Sequence, residues 1–269
     1  MNLLEMCGIF GFALNKSVPI VKIFRVLAKL EVHQYPHEPK PLGGFGAGIA
    51  IVSSNGNVLL EKIGDVDGSP VERLSQIFRV DAARVLVGHV RMPSPQFMET
   101  AKFRETAQPY VTRCFNGLTL ISAHNGNVTN YRALRKKIGT RHIFESEKIE
   151  LIDSEVIPHL FEELLAEKHD PNTAVETLFQ LLEGPNTVSI LQIEKNLLLL
   201  HFIHKGKTRG LTIWQNHVGE LVFCSRKEPL IEEFNDILDE GKFKEYASIL
   251  YGEEGSLKTT LSFKQRCKF

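Results

Sequence analysis

The chain has 269 residues, 43% hydrophobic and 24% charged, and its 32 Lys and Arg balance 32 Asp and Glu. This is ordinary globular usage with length enough for a full core, which excludes a disordered chain, a collagen and a coiled coil. A formal charge of zero supplies no whole-protein field to draw nucleic acid or an anionic membrane, so neither is expected as a partner. Length alone allows one large domain or two small ones.

The cysteines stand at positions 7, 114, 224 and 267, with no CxxC pair. A chain this long needs no disulfide framework, so a reducing, cytoplasmic setting is expected. No apolar run approaches the roughly 20 residues of a membrane helix. The N-terminus, MNLLEMCGIFGFAL, has no positive region before its apolar stretch, so no secretory signal is expected.

In chain order, Gly8 to Leu14 reads as a buried strand. From Val18, apolar residues recur at helical spacing after a Ser17 that can cap and a Pro19 in the first turn. Residues 31–43 hold three prolines and read as a loop. Phe45 to Ser53 and Val58 to Ile63 read as strands joined through Asn55-Gly56, a hairpin signal. Val71 to Phe78 reads as a helix, Arg84 to Arg91 as a strand and residues 92–113 as a long polar loop. Leu118 to Ala123 is a strand ending in His124-Asn125-Gly126-Asn127, followed by a helix near Thr129 to Ile138. A clean helical stripe from Val156 to Leu165 starts near Asp153-Ser154. A helix over Thr173 to Leu182 is followed by strands at 187–193, 197–203, 211–214 and 221–224. A last helical region begins near Glu228. This order predicts α+β layering and not strict βαβ alternation.

Four places can carry chemistry, and each also has a plain reading. Cys7 is either a small buried hydrophobe or a nucleophile. If Cys7 were the first residue, its α-amine, with a pKa of about 7.7–8.0, could take the thiol proton. Arg91 is either a surface cation or a fork for a carboxylate. Asn125-Gly126 is either a turn or an oxyanion hole made of a side-chain amide and a glycine N–H. Asp153 is either a helix cap or a partner for an ammonium group.

Taken together, Cys7-Gly-Ile-Phe-Gly-Phe12, Gly88-His-Val-Arg91, Thr106-Ala-Gln-Pro-Tyr110, His124-Asn-Gly-Asn-Val-Thr-Asn130 and Asp153-Ser-Glu-Val-Ile157 resemble the class II glutamine amidotransferase domain, an N-terminal-nucleophile hydrolase. Arg209 to Trp214 and Gly219 to Ser225 resemble its closing strands. The resemblance runs from Cys7 to about residue 230 and implies a four-layer αββα sandwich. It implies Cys7 as the nucleophile, with its α-amine as base, attacking the side-chain amide of L-glutamine. It assigns Asn125 and Gly126 to the oxyanion, Arg91 to the substrate α-carboxylate and Asp153 to its α-ammonium. Glutamate and ammonia result, through a γ-glutamyl thioester, the ammonia passing to a separate synthase subunit. His89 and His124 are left structural.

Three departures follow. Residues 1–6 precede Cys7 and would block its amine, so they are expected to be a cleaved leader or a misassigned start. After Arg91 comes Met-Pro-Ser-Pro-Gln, where the family more often has an aromatic residue and then Thr and Gly. Residues 231–269 are expected to form a partly helical appendage, too short for a synthase domain. An N-terminal-cysteine hydrolase of another amide, and a silent glutamine-binding module, remain as alternatives. No cofactor and no metal are expected. Gly43 to Gly48 fits no phosphate loop, and His201 and His204, three apart in a strand, make a poor metal pair.

Overall fold

The computed structural model describes residues 7–115, 117–168, 170–194 and 197–263. The expected leader, residues 1–6, and Cys267 lie outside the described residues. The chain forms β1 (Gly8–Pro19), α1 (Ile20–Val32), β2 (Ala47–Val52), β3 (Val58–Ile63), α2 (Pro70–Ile77) and β4 (Ala82–Val90). It continues with β5 (Tyr110–Thr112), β6 (Leu118–Gly126), α3 (Tyr131–Arg135), α4 (Asp153–Lys168) and α5 (Pro171–Leu181). The last elements are β7 (Asn186–Glu194), β8 (Leu197–Lys207), β9 (Leu211–Gln215), β10 (Leu221–Cys224), α6 (Lys227–Glu240), β11 (Lys244–Ile249) and β12 (Glu254–Phe263).

The strands make a seven-stranded sheet in the order β11-β9-β10-β1-β4-β2-β3 and a five-stranded sheet in the order β12-β8-β7-β6-β5. Strand alternation sends each sheet's side chains to two faces, and three apolar layers result. Ile9 and Ala13 of β1 pack with Ala123 of β6 and Phe202 of β8, between the sheets. Phe10, Phe12 and Leu14 point the other way, onto Leu27 of α1 and Phe234 of α6. On the far side of the second sheet, Leu120 and Ile190 meet Val156, Leu160 and Leu178 of α4 and α5. Three apolar layers separate four structural ones, the αββα sandwich that the resemblance implies. Within the first sheet the Phe223 ring of β10 lies over Gly11 of β1, where an added Cβ would sit 2.3 Å from it.

Several expectations are corrected. The helix expected from Val18 starts at Ile20, because Val18 and Pro19 still pair with Ala83 and Ala82 of β4 past an irregularity after Ala13. Residues 92–113 are not a solvated loop. They hold two 3-10 turns and β5, with Phe97, Thr100, Thr106, Gln108 and Tyr110 buried. The helix expected near Thr129 to Ile138 is one short turn, Tyr131–Arg135. Beyond residue 230, the rest of α6 is followed by β11 on β9 and β12 on β8, at one edge of each sheet.

Two buried histidines make the fold acid-sensitive. Burial pulls His89 and His201 from 6.5 down to about 3, so the folded chain holds both neutral. Above pH 6.5 this costs nothing. As pH falls from 6.5 toward 3, the unfolded chain binds protons that the folded chain refuses, so stability falls. The slope is about 1.4 kcal/mol per pH unit per group. The urea midpoint is expected to drop clearly between pH 7 and pH 5. A flat midpoint over that range would show that neither imidazole is held neutral.

Candidate active site

Cys7 stands immediately before β1. Gly8 pairs with Val90 at the end of β4, which sets Cys7 beside Arg91 and Met92. Its Sγ accepts from the Met92 N–H at 3.4 Å and lies 3.5 Å from the Met92 carbonyl. The next residue but one, Ile9, is pinned by Ser225, whose Oγ accepts from Ile9 N at 2.9 Å and whose N donates to Ile9 O at 2.9 Å. Burial pushes the Cys7 thiol up to about 11, against the lowering pull of the Met92 N–H and the Arg91 charge. A thiol so placed is protonated at neutral pH and needs a base to become a nucleophile.

Arg91 is buried, not the surface cation of its plain reading. Its backbone is locked into the glycine run before β2, donating to Gly46 O at 2.8 Å and accepting from Phe45 N at 3.1 Å. Gly43 to Gly46 thus turns the chain into β2, with Gly46 at φ +139. The guanidinium donates to Thr106 Oγ1 at 2.6 Å and Thr100 Oγ1 at 2.9 Å, with the Thr100 and Ala101 carbonyls at 3.4 and 3.5 Å. These neutral acceptors aim the fork without cancelling its charge. Among the described residues no carboxylate pairs with it. A buried cation lacking a counter-charge is costly on its own and is suited to an anion that a ligand brings.

Asn125 and Gly126 end β6. Asn125 is fully buried, yet among the described residues neither Nδ2 nor Oδ1 has a hydrogen-bond partner. Leaving such groups unpaired costs about 1–3 kcal/mol each, which a ligand atom would recover. Gly126 has φ +151, and an added Cβ would lie 2.3 Å from the Pro185 carbonyl. Only glycine fits. Asp153 opens α4, with Oδ1 accepting from Ser154 N at 2.8 Å and Oδ2 from Val128 N at 2.9 Å. It therefore takes up one first-turn N–H of the helix and also ties the chain just after Asn125-Gly126-Asn127 to it. A carboxylate has lone pairs to spare beyond these two bonds.

A hydrogen-bonded layer joins these groups across the two sheets. His89 of β4 places Nε2 3.3 Å from the His124 carbonyl of β6. Gln108 brackets His124, its Oε1 accepting from His124 N at 2.7 Å and its Nε2 donating to His124 O at 3.1 Å and Ser154 Oγ at 3.2 Å. Asn186 spends its Nδ2 on the Glu183 and Gly184 carbonyls, so its Oδ1, 2.8 Å from His124 Nε2, requires a proton there. Burial lowers the His124 pKa, so the ring is neutral and its Nδ1 accepts from Ser154 Oγ at 2.9 Å. With His89 near 3 and His124 spent on Ser154 and Asn186, neither ring is placed to act as base toward Cys7. Gln108, Ser154, Asn186, Thr100, Thr106 and Ser225 are positioning residues that the sequence reading assigns no role. Gln108 and Thr106 sit inside a segment it does single out; Thr100 carries no local signal.

A cysteine at the head of a central strand, between two face-to-face sheets with helices outside, defines the N-terminal-nucleophile hydrolase fold. No protein-family model matches the chain. The chain is 29% identical over 186 residues to a glutamine–fructose-6-phosphate aminotransferase of Sulfurisphaera tokodaii, covering 68% of this chain and 28% of that protein. It is 30% identical over 185 residues to the enzyme of the same name from Halobacterium salinarum, covering 69% and 26%. It is 34% identical over 116 residues to an amidophosphoribosyltransferase of Archaeoglobus fulgidus, covering 42% and 23%. The chain thus spans about a quarter of the length of these curated relatives. Among solved structures, it overlays the glutamine phosphoribosylpyrophosphate amidotransferase from B. subtilis with a TM-score of 0.58 at 18% identity, over 94% of this chain and 49% of that one. That likeness speaks for the fold. Over the matched length the chain is similar to class II glutamine amidotransferase domains.

Proposed function

We propose that this domain hydrolyses the side-chain amide of L-glutamine, with Cys7 as nucleophile. The observation that carries this reading is the bare, fully buried amide of Asn125 at the end of β6, joined through His124 and His89 to the strand that holds Arg91. The Cys7 thiol passes its proton to its own α-amine as Sγ attacks the amide carbon. The oxyanion is held by Asn125 Nδ2 and the Gly126 N–H. The proton moves to the departing nitrogen, ammonia leaves, and a γ-glutamyl thioester remains for water to cleave to glutamate and free thiol. Arg91 holds the substrate α-carboxylate and Asp153 its α-ammonium. The amine exists only when residues 1–6 are absent, so the active form begins at Cys7. The ammonia goes to an acceptor synthase domain or subunit. The named relatives have about three quarters of their length outside the matched region, and each is named for transfer to a second substrate.

Truncated substrates test this against hydrolysis of some other amide. Glutaramate lacks the ammonium and 4-aminobutanamide lacks the carboxylate. A hydrogen bond to a charged group is worth about 1.5–3 kcal/mol, so each is expected to lose at least about tenfold in kcat/KM relative to L-glutamine. Equal turnover of glutaramate would remove Asp153 from the reading. No turnover of glutamine by a chain that begins at Cys7 would leave the silent binding module.

A further inference from the structure

A second cluster of chemically active side chains lies away from Cys7. Cys114 follows β5, His142 lies between α3 and α4, and His159 and Glu162 stand one turn apart on α4. One ligand atom from each of the four lies within 4.8 Å of the others. We propose that these residues form a structural zinc site that ties α4 to the end of β5.

The separations match a shared ion. Two ligands at about 2.0–2.3 Å from a tetrahedral zinc stand about 3.3–3.6 Å apart. Here His142 Nδ1 and His159 Nδ1 are 3.0 Å apart, Cys114 Sγ and His159 Nδ1 are 3.7 Å apart, and His142 Nδ1 and Glu162 Oε2 are 3.4 Å apart. Each value is close to one edge of such a tetrahedron. Two nitrogens, a sulfur and a carboxylate oxygen form a donor set suited to zinc.

An independent observation comes from the atoms left over. Glu162 uses Oε1 to accept from Cys114 N at 2.7 Å and Phe115 N at 3.1 Å. Its Oε2 is buried in the cluster with no hydrogen-bond partner among the described residues. His142 presents Nε2 to Glu163 Oε1 at 3.0 Å, which fixes the proton on Nε2 and leaves the Nδ1 lone pair pointing at His159. A carboxylate behind a histidine in this way orients it as a metal ligand. Arg141, 3.1 Å from Glu163 Oε2, offsets part of the negative charge, and Glu155 lies 3.9 Å from His159 Nε2. On binding, the Cys114 proton leaves to solvent and the neutral rings donate lone pairs.

The site lies midway along the same helix that starts with Asp153. His159 is six residues further on, about 9 Å along the axis. An ion shared with Cys114 and His142 would hold that helix, and with it Asp153, at a fixed place.

The test uses the full chain, stripped of metal and titrated first with Co²⁺ and then with Zn²⁺. We expect about one Co²⁺ per chain, with a near-ultraviolet thiolate-to-cobalt band and the strong visible bands of four-coordination, both displaced by Zn²⁺. Cys114→Ser is expected to remove the near-ultraviolet band. Glu163→Gln, which leaves all four ligands in place, is expected to weaken zinc binding by about 10–100-fold in competition with a chelating dye. A folded chain that gives no cobalt spectrum overturns the proposal, and the cluster is then a hydrogen-bonded one. A thiolate band that persists in Cys114→Ser, or unchanged zinc affinity in Glu163→Gln, also overturns it.

Discussion

A chain that begins at Cys7 is expected to release glutamate from glutamine at least about 10²-fold faster than the same chain carrying residues 1–6, with Cys7→Ala silent. The reason lies in the proton. Burial holds the thiol near 11, so only a minute fraction is thiolate at pH 7.5. Neither His89 nor His124 is placed to accept its proton, the first because burial depresses it to about 3 and the second because both ring nitrogens are occupied. A free α-amine on Cys7 is the remaining base within the same residue. A peptide bond to Met6 turns that amine into an amide with no basic lone pair, and general-base assistance of roughly 10²–10⁴-fold is lost. Because the unprotonated amine is the working form, kcat/KM should rise with pH through about 7.7–8.0. Equal rates with and without residues 1–6 would mean that the base lies elsewhere in the site.

The second large effect is expected for Asn125→Ala. Oxyanion donors act on charge that develops in the transition state, so their loss appears mainly in kcat. The scale set by other hydrolases is about 10²–10³-fold, or 2.7–4 kcal/mol. Stability should not follow. Among the described residues both amide atoms of Asn125 are unpaired, so the variant gives up no hydrogen bond there and removes two desolvated polar atoms. A nearly unchanged thermal midpoint with a collapsed kcat would mark a group kept for chemistry at some expense to the fold. Near wild-type kcat in Asn125→Ala would refute the oxyanion assignment.

The sequence determined more of the fold than of the geometry. The short apolar run over Gly8–Leu14, the alternation over Arg84–Arg91 and the 3.6-residue stripe over 156–165 are local properties, and β1, β4 and α4 form over them. Local spacing failed at Val18, because a partner strand continued to offer hydrogen bonds and the chain stayed extended until Pro19. It failed again over 92–113, where polar residues are buried to serve Arg91. Polarity alone cannot tell a threonine facing water from one facing a guanidinium.

The site divides in the same way. The roles proposed for Cys7, Arg91, Asn125, Gly126 and Asp153 come from short segments that resemble a known family when taken together and in order; each alone also has a plain reading. Only the folded chain decided that, among the described residues, Arg91 is buried without a carboxylate and Asn125 is left unpaired, and that Gln108, Ser154 and Asn186 brace His124. Those are statements about what surrounds a side chain, and the surroundings come from strands far apart in sequence. The Cys114, His142, His159 and Glu162 cluster is the clearest case. Its spacings match no metal motif, and only the packing of α4 against the end of β5 and the residues before it brings four ligand atoms within reach of one ion.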